Sequence, residues 1–245
     1  MSNKGIGFNR ILKGRWLDYT AAATLETADL PTLRRDLHDW LADDISSESR
    51  DRTIDILLRT WVKTGENHPE LLACARELFL SVDSTEERIW LHWGLLLLAY
   101  PFFRDAVSVV GRSARFDQPI SRSTITRQLA SDLGQIASLD VGTGRTIALL
   151  KDWGMLDPIV PNRTYRVRNG ALVTTNHELT LWLLACALTA HASKAIPPED
   201  LVALPELFPF RIDIRPREIR RSDWFETARY AAGELVSRRV AIRGD

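Results

Sequence analysis

An uncharged stretch in the middle of the chain limits the folds that this sequence can adopt. From Ile89 to Tyr100 no residue carries a formal charge, and Pro101 follows directly. A helix that is apolar on all sides must be buried, either in a protein core or in a membrane. The stretch is shorter than the roughly 18–20 residues that cross a bilayer, and His92 and Gly94 interrupt it. We therefore predict the central helix of an α-helical bundle, ending or bending at Pro101.

The preceding segments have the pattern of amphipathic helices, with apolar residues every three or four positions. Pro31, Ser46, Pro69 and Ser84 mark helix starts, since proline suits the first turn and serine caps it. Ser84 also has the spacing to Glu87 of a capping box. Residues 1–15 carry four cations, three glycines and no acid, which indicates a mobile arm or one that contacts a nucleic-acid backbone. The sequence thus predicts a helical N-terminal domain over residues 1–115.

A helix and a basic β-ribbon are predicted between residues 142 and 175. Helical apolar spacing ends at Trp153, and Gly154 follows as a stop signal. Asn169-Gly170 then stands between two strand-like runs, and this pair is typical of a type I′ hairpin. The predicted register places Arg168 opposite Ala171, Val167 opposite Leu172, and Arg166 opposite Val173.

The elements predicted before this helix and ribbon complete the order of a known DNA-binding motif. Ser121 or Ser123 is expected to cap one helix, residues 135–139 to form a short second helix, and residues 140–144 to turn into the helix that ends at Trp153. Helix, turn, helix and ribbon is the order of a winged helix-turn-helix. The predicted fold is mainly α: a helical bundle over 1–115, a winged helix-turn-helix over 116–175, and a small α+β C-terminal region over 176–245. In that last region, residues 207–214 read as a strand, and residues 224–239 as a hairpin or, less favoured, a helix.

Charge is distributed unevenly along a chain with no net charge. Residues 1–110 hold 13 Lys+Arg and 17 Asp+Glu, whereas residues 111–245 hold 19 and 15. A nucleic-acid surface therefore fits the second half. Helix starts and basic ribbons contact phosphates or base edges, although solvated surface arginines give the same pattern. The predicted DNA-binding residues are Thr143, Arg145 and Thr146 at the start of the recognition helix, Arg163, Arg166 and Arg168 on the ribbon, and Arg122 and Arg127 on the preceding helix.

Residue patterns for catalysis or metal binding are not found in the sequence. The histidines have no metal-ligand spacing, and no serine or cysteine stands in a nucleophile motif. Gly142-Thr-Gly144 lacks the third glycine of a dinucleotide cradle. Cys74 and Cys186 lie in apolar helical segments and are predicted to be buried free thiols in a reducing compartment. We expect a cytoplasmic protein that is not an enzyme and that has no metal or cofactor.

Two short blocks resemble a known family. Leu98-Ala-Tyr-Pro-Phe-Phe-Arg-Asp105 and the helix end Leu149-Leu-Lys-Asp-Trp-Gly-Met-Leu156 are similar to the BrxA family of the BREX bacteriophage-exclusion systems, formerly described as inner membrane proteins. The resemblance implies an all-helical first domain, a winged-helix-like DNA-binding part, and a role in an antiviral complex.

The favoured function is a non-enzymatic DNA-binding component of a bacterial anti-phage defence system. Its expected partners are double-stranded DNA and other subunits of a defence complex, with no membrane contact. One alternative is a protein-binding adaptor, with Trp16, Trp40 and Trp61 among its partner-facing residues. Another is a stand-alone winged-helix transcription regulator, which would need a dimer and a palindromic operator.

Overall fold

A computed structural model describes residues 6–159, 161, 163–230 and 233–239 of the 245-residue chain. The protein is mainly helical and carries two small three-stranded antiparallel sheets. The helices up to residue 114 are α1 (Gly14–Glu26), α2 (Leu30–Trp40), α3 (Ser47–Leu58), a π segment (Arg59–Lys63), α4 (Thr64–Asn67), α5 (Pro69–Ser81), α6 (Thr85–Ala99) and α7 (Pro101–Ala114).

Most of the predicted helix starts are confirmed. Pro31 lies in the first turn of α2, and α5 begins at Pro69. Ser84 caps α6 by accepting a hydrogen bond from the Glu86 amide at 3.2 Å. The reciprocal half of the predicted capping box is missing, because the Glu87 carboxylate instead accepts a hydrogen bond from the Thr174 hydroxyl.

The uncharged stretch forms the centre of the core, as predicted. All residues of α6 from Ile89 to Leu97 are buried. The Trp93 ring lies 5.2 Å from Phe103 and 5.3 Å from Phe210, and its indole N–H donates to the Glu206 carbonyl at 3.0 Å. Within the described residues no single helix has the length and apolar character to cross a membrane; α6 and α7 would do so only together, and they are bent by 119°.

The N-terminal segment is packed against the core instead of forming the predicted arm, as far as it is described. Phe8 and Leu12 are almost fully buried, at 0% and 1% exposure. Phe8 packs edge-on against Tyr100, with ring centroids 5.4 Å apart. Apolar burial offsets the entropy that fixing these residues costs. The part of the predicted arm before residue 6 lies outside the described residues.

After α7 the chain forms β1 (Ile120–Ser121), α8 (Arg122–Leu133), α9 (Leu139–Asp152), β2 (Leu156–Ile159) and β3 (Thr164–Val167). These strands form one antiparallel sheet in the order β1-β3-β2. Ser121 caps α8, as predicted, by accepting from the Thr124 amide at 3.1 Å.

Two predictions about the start of α9 are wrong. No helix forms over residues 135–138, and residues 140–144 belong to α9 itself and do not form a turn. Glycines usually weaken a helix interior, but here they permit close packing. A Cβ at Gly142 would lie 2.6 Å from the Phe102 ring, and one at Gly144 would lie 2.8 Å from the Arg122 guanidinium carbon.

The predicted hairpin about Asn169-Gly170 is also wrong. β3 pairs with β2 and β1, and the chain beyond Gly170 leaves this sheet. The Gly170 amide donates to the Phe208 carbonyl at 2.8 Å, and Leu172 forms a parallel bridge with Phe210. Pairing there buries Leu172 to 3% exposure, whereas β2 already occupies the edge of β3 that the hairpin needed.

The C-terminal region comprises α10 (His177–Ala190), β4 (Ala195–Ile196), α11 (Pro198–Val202), a 3₁₀ turn (Pro205–Leu207), α12 (Pro216–Arg221), β5 (Phe225–Tyr230) and β6 (Gly233–Arg238). The favoured hairpin over residues 224–239 is confirmed, although its centre lies outside the described residues. The strand predicted over 207–214 is wrong, because only Phe210 bridges and Pro209 has no amide to donate. α10 packs against α6 and α5, so this region shares the core of the helical bundle, and the three-domain division stays a prediction.

Candidate nucleic-acid interface

The register of β2 and β3 determines which side chains of this ribbon reach solvent. Val167 lies opposite Leu156, and both are buried. Arg166 lies opposite Asp157, and both are exposed because side chains alternate along a strand. We call residues 156–168 the basic ribbon. Its buried face anchors it, and its other face presents charge.

A groove of about 800 Å³ separates the basic ribbon from the two helices before it. It is lined by the start of α8, by α9 and by the ribbon, with Arg122, Lys151 and Arg163 as its cations and Asp140 as its acid. The Lys151 ammonium lies 5.8 Å from the centre of the Tyr165 ring. Lys151 was missed in the sequence because only the fold brings the last turn of α9 next to Tyr165.

The predicted arginines differ in how strongly the protein itself holds them. Arg122 forms an ion pair with the Asp140 carboxylate and donates to the Asp140 carbonyl at 2.7 Å. Arg168 lies 3.9 Å from Asp157, and both side chains are more than half exposed. Among the described residues no carboxylate lies within ion-pair distance of Arg127, Arg163 or Arg166. Arg163 and Arg166 therefore both present their charge to solvent from the basic ribbon.

Thr143 and Thr146 do not face solvent, which corrects their predicted role. Their side chains are 0% and 1% exposed. Their hydroxyls donate to the backbone carbonyls of Leu139 and Gly142, at 2.8 and 3.1 Å. A buried hydroxyl that bonds its own helix cannot reach a phosphate, so neither threonine belongs to the interface.

Arg145 lies in the second turn of α9 and not in the first, because the helix begins at Leu139. It is half-buried, and its Nε is enclosed with no acceptor among the described residues. The first turn instead carries Asp140, whose charge suits the positive end of a helix but repels a phosphate there. The far end of α9 is also engaged, since Asp152 accepts a hydrogen bond from the Gly14 amide at 2.7 Å.

Both cysteines are free, as predicted, and lie outside the groove. Cys186 is buried and Cys74 is half-buried. Burial raises the pKa of the Cys74 thiol to about 12, and it raises that of Cys186 strongly. Within the described residues, no group of three or more His, Cys, Asp or Glu side chains is arranged to hold a metal ion.

Comparisons with known proteins gave no match. No protein-family model matches the chain, and neither curated proteins nor solved structures match it. The resemblance to the BrxA family, carried by the blocks at 98–105 and 149–156, therefore stays a prediction.

Proposed function

We propose that this protein is a non-enzymatic DNA-binding protein that holds the phosphate backbone of double-stranded DNA with its basic ribbon. The observation that carries this proposal is the exposure of Arg163, Arg166 and Arg168 on the basic ribbon, together with the groove that Arg163 and Lys151 line. Guanidinium groups bind phosphate through paired hydrogen bonds, and the buried face of the ribbon holds them in place.

The order of elements supports assigning residues 101–168 to the winged-helix class. α7, β1, α8, α9, β2 and β3 follow one another, and the last two strands form a two-stranded wing beside β1. In helix-turn-helix proteins the second helix of the motif enters the major groove, while neighbouring parts contact the backbone. α9 would be that helix, and the basic ribbon would be the wing.

The outward side of α9 favours backbone binding over base reading. Asp140, Val141, Gly144 and Ala148 offer no side-chain donor for base edges, and the one arginine among them, Arg145, is half-buried. Cations available to phosphates lie on the ribbon, at Lys151 and at Arg127 of α8. Contacts to phosphates carry no sequence information. We therefore propose binding with little sequence preference and a strong dependence on salt.

We extend the proposal to a cytoplasmic component of an anti-phage defence system of the BREX type. Support for this step comes only from the two blocks that resemble the BrxA family, at 98–105 and 149–156. Such a component would bind other subunits of the defence complex as well as DNA.

The test is fluorescence anisotropy with a short random-sequence duplex over a series of salt concentrations. In a double variant, Arg166→Ala with Arg168→Ala, we expect affinity to fall about tenfold or more, since each charge-assisted hydrogen bond contributes roughly 1.5–3 kcal/mol. The slope of log K against log salt should become shallower by about 1.8, or roughly 0.9 per lost contact. Absence of salt-sensitive binding by the wild type would remove the proposal.

A matched control is Arg217→Ala with Arg221→Ala, because these arginines are exposed but belong to α12 and not to the basic ribbon. This variant should bind DNA like the wild type. An equal loss in both double variants would mean that general charge, and not the basic ribbon, attracts the duplex.

The adaptor function is a second candidate, but it cannot use two of the tryptophans predicted for it. Trp16 and Trp61 are buried, at 3% and 0% exposure. Trp40 is half-buried and stacks on Tyr19, with ring centroids 4.1 Å apart. Phe116, within the proposed winged helix, is 74% exposed and is the residue that we propose for contact with a protein partner. Stoichiometric co-purification of a partner, lost on Phe116→Ser, would support this candidate.

The transcription-regulator alternative requires two copies of the winged helix on a palindromic site. A strict monomer in solution and on DNA, measured by analytical ultracentrifugation, would remove it.

A further inference from the structure

A polar cavity of about 570 Å³ lies outside the proposed DNA interface. One wall is the helical run from α3 through the π segment, and another is Tyr100 at the break between α6 and α7. Gly7 and Asn9 of the N-terminal segment line it as well. A space of this size is typical of small-molecule sites, which occupy about 300–1,000 Å³.

Three cations lie on one side of this helical run, one in α3 and two in the π segment. Arg52, Arg59 and Lys63 all line the cavity. Seven residues are close to two turns of α-helix, and four residues are close to one turn, so the three side chains recur on one face. Single π turns inside α-helices occur frequently at functional sites.

The charge balance of the cavity is positive. Its acids are Asp55 and Glu66, and Asp55 is paired with Arg34, which does not line the cavity. Within the described ranges no carboxylate lies at ion-pair distance from Arg52, Arg59 or Lys63. These three cations therefore face the cavity without a protein counter-ion.

Tyr100 holds one of the cations in place. The Arg59 guanidinium lies 4.9 Å from the centre of the Tyr100 ring, within cation–π range. The Tyr100 side chain is buried, and burial raises the pKa of its phenol, which stays protonated. Its hydroxyl points at the Ile56 carbonyl at 3.4 Å. Arg59 is thus oriented before a ligand arrives, which lowers the entropy cost of binding.

We propose that this cavity binds a small phosphate-bearing anion, with Arg52, Arg59 and Lys63 as its phosphate ligands and Asn9 as a neutral donor. Arginine binds phosphate oxygens bidentately, and lysine supplies a point charge. A nucleotide and a free polyphosphate offer the same phosphoryl chemistry, and the test separates them.

The test is isothermal titration calorimetry of the full chain with pyrophosphate, ATP and adenosine. We expect saturable binding at one site for pyrophosphate, for ATP or for both, and none for adenosine. Equal binding of the two phosphates would identify the phosphoryl groups as the whole ligand, and binding of ATP alone would identify a nucleotide. Absence of saturable binding by both, or adenosine binding as tightly as ATP, would overturn the proposal.

Variants assign the site to the cavity. Lys63→Ala and Arg52→Ala should each weaken phosphate binding about tenfold, because each removes a charge-assisted hydrogen bond to the phosphate. Arg59→Ala is less suitable, because it also removes packing on Tyr100. Arg35→Ala is the control, since Arg35 is exposed on α2 and does not line the cavity. Wild-type affinity in Lys63→Ala, with an unchanged thermal melt, would place the anion elsewhere. The DNA test is independent, because it uses other residues.

Discussion

Arg238 and Arg239, at the end of one small sheet, have different surroundings from the arginines of the basic ribbon. In the sheet of β4, β5 and β6, Arg238 pairs with Glu70 at 3.2 Å, and Arg239 pairs with Asp223 at 3.1 Å. On the basic ribbon, Arg163 and Arg166 have no carboxylate at ion-pair distance among the described residues, and Arg168 has only a distant one. One set therefore holds elements of the protein together, and the other remains available to an external anion.

Burial explains the difference between Arg238 and Arg166. The Arg238 side chain is only 13% exposed, and its guanidinium lies 4.4 Å from the centre of the Trp224 ring. A charge removed from water needs a partner, so Glu70 and the Trp224 carbonyl accept its hydrogen bonds. Arg166 stays in water and needs none. Arginine density along a sequence thus does not indicate binding, because the fold uses some of the arginines for internal contacts.

The largest expected effect is a loss of unfolding free energy when Arg238 is replaced. Arg238→Ala should lower the free energy of unfolding by about 2 kcal/mol, because the packing on Trp224 and several hydrogen bonds are lost together. Denaturant unfolding measures this value. DNA affinity should not change, because Arg238 lies in the other sheet.

The matched control for this effect is Arg220→Ala in the same region. Arg220 pairs with Glu234, but its side chain is 38% exposed. Exposed pairs contribute roughly 0–1 kcal/mol, so the loss should be smaller than for Arg238→Ala. An equal loss of unfolding free energy in both variants would contradict the conclusion that burial makes the contacts of Arg238 the more stabilising ones.

Burial also affects the charge of a histidine in the core, which the fold keeps neutral. His92 is 1% exposed, and its Nδ1 accepts a hydrogen bond from the Trp61 indole N–H at 3.1 Å. The proton must then be on Nε2, which donates to the Asp18 carboxylate at 3.0 Å. Burial lowers the pKa of His92, and the hydrogen bond and charge of Asp18 only partly oppose this effect.

Stability should therefore fall on acidification. The unfolded chain takes up a proton near pH 6.5, whereas folded His92 resists it, so stability is lost as pH falls below about 6.5. One proton gives a slope of at most about 1.4 kcal/mol per pH unit. Thermal melts at pH 7.5 and pH 5.5 measure the effect. His92→Gln should show a smaller difference between the two melts, and an unchanged difference would contradict the assignment.

The helical half of the fold follows from local signals in the sequence. Pro69 and Ser84 stand where α5 and α6 begin, because caps and first-turn prolines act within one turn. The uncharged stretch had to be buried, and it forms the centre of the core. Such predictions succeed because their physical cause lies within a few residues of the element itself.

The strand pairing could not be predicted locally. Asn169-Gly170 satisfies every local requirement of a hairpin, yet β2 and Phe210 compete for the same backbone groups and win. The burial of Thr143 and Thr146 could not be predicted locally either, because it depends on packing against elements that are distant in the sequence. Gly142 reads as a helix breaker until Phe102 is seen packed against it. Arg166 is exposed as expected although its predicted strand partner is wrong. Side chains alternate along β3, and the neighbouring Val167 is buried.

The smallest expected effect tests whether the cations of the basic ribbon are the ones that bind DNA. Asp157 lies opposite Arg166 and 3.9 Å from Arg168, so it partly neutralises the charge that would face phosphate. Asp157→Asn keeps the shape and removes that charge. Because an exposed pair contributes roughly 0.2–1 kcal/mol, DNA affinity should rise about two- to threefold in anisotropy titrations at low salt. Asp223→Asn, which removes one of the two carboxylates near Arg239, should leave affinity unchanged. If Asp223→Asn strengthens DNA binding and Asp157→Asn does not, the roles assigned here to the two sheets are reversed.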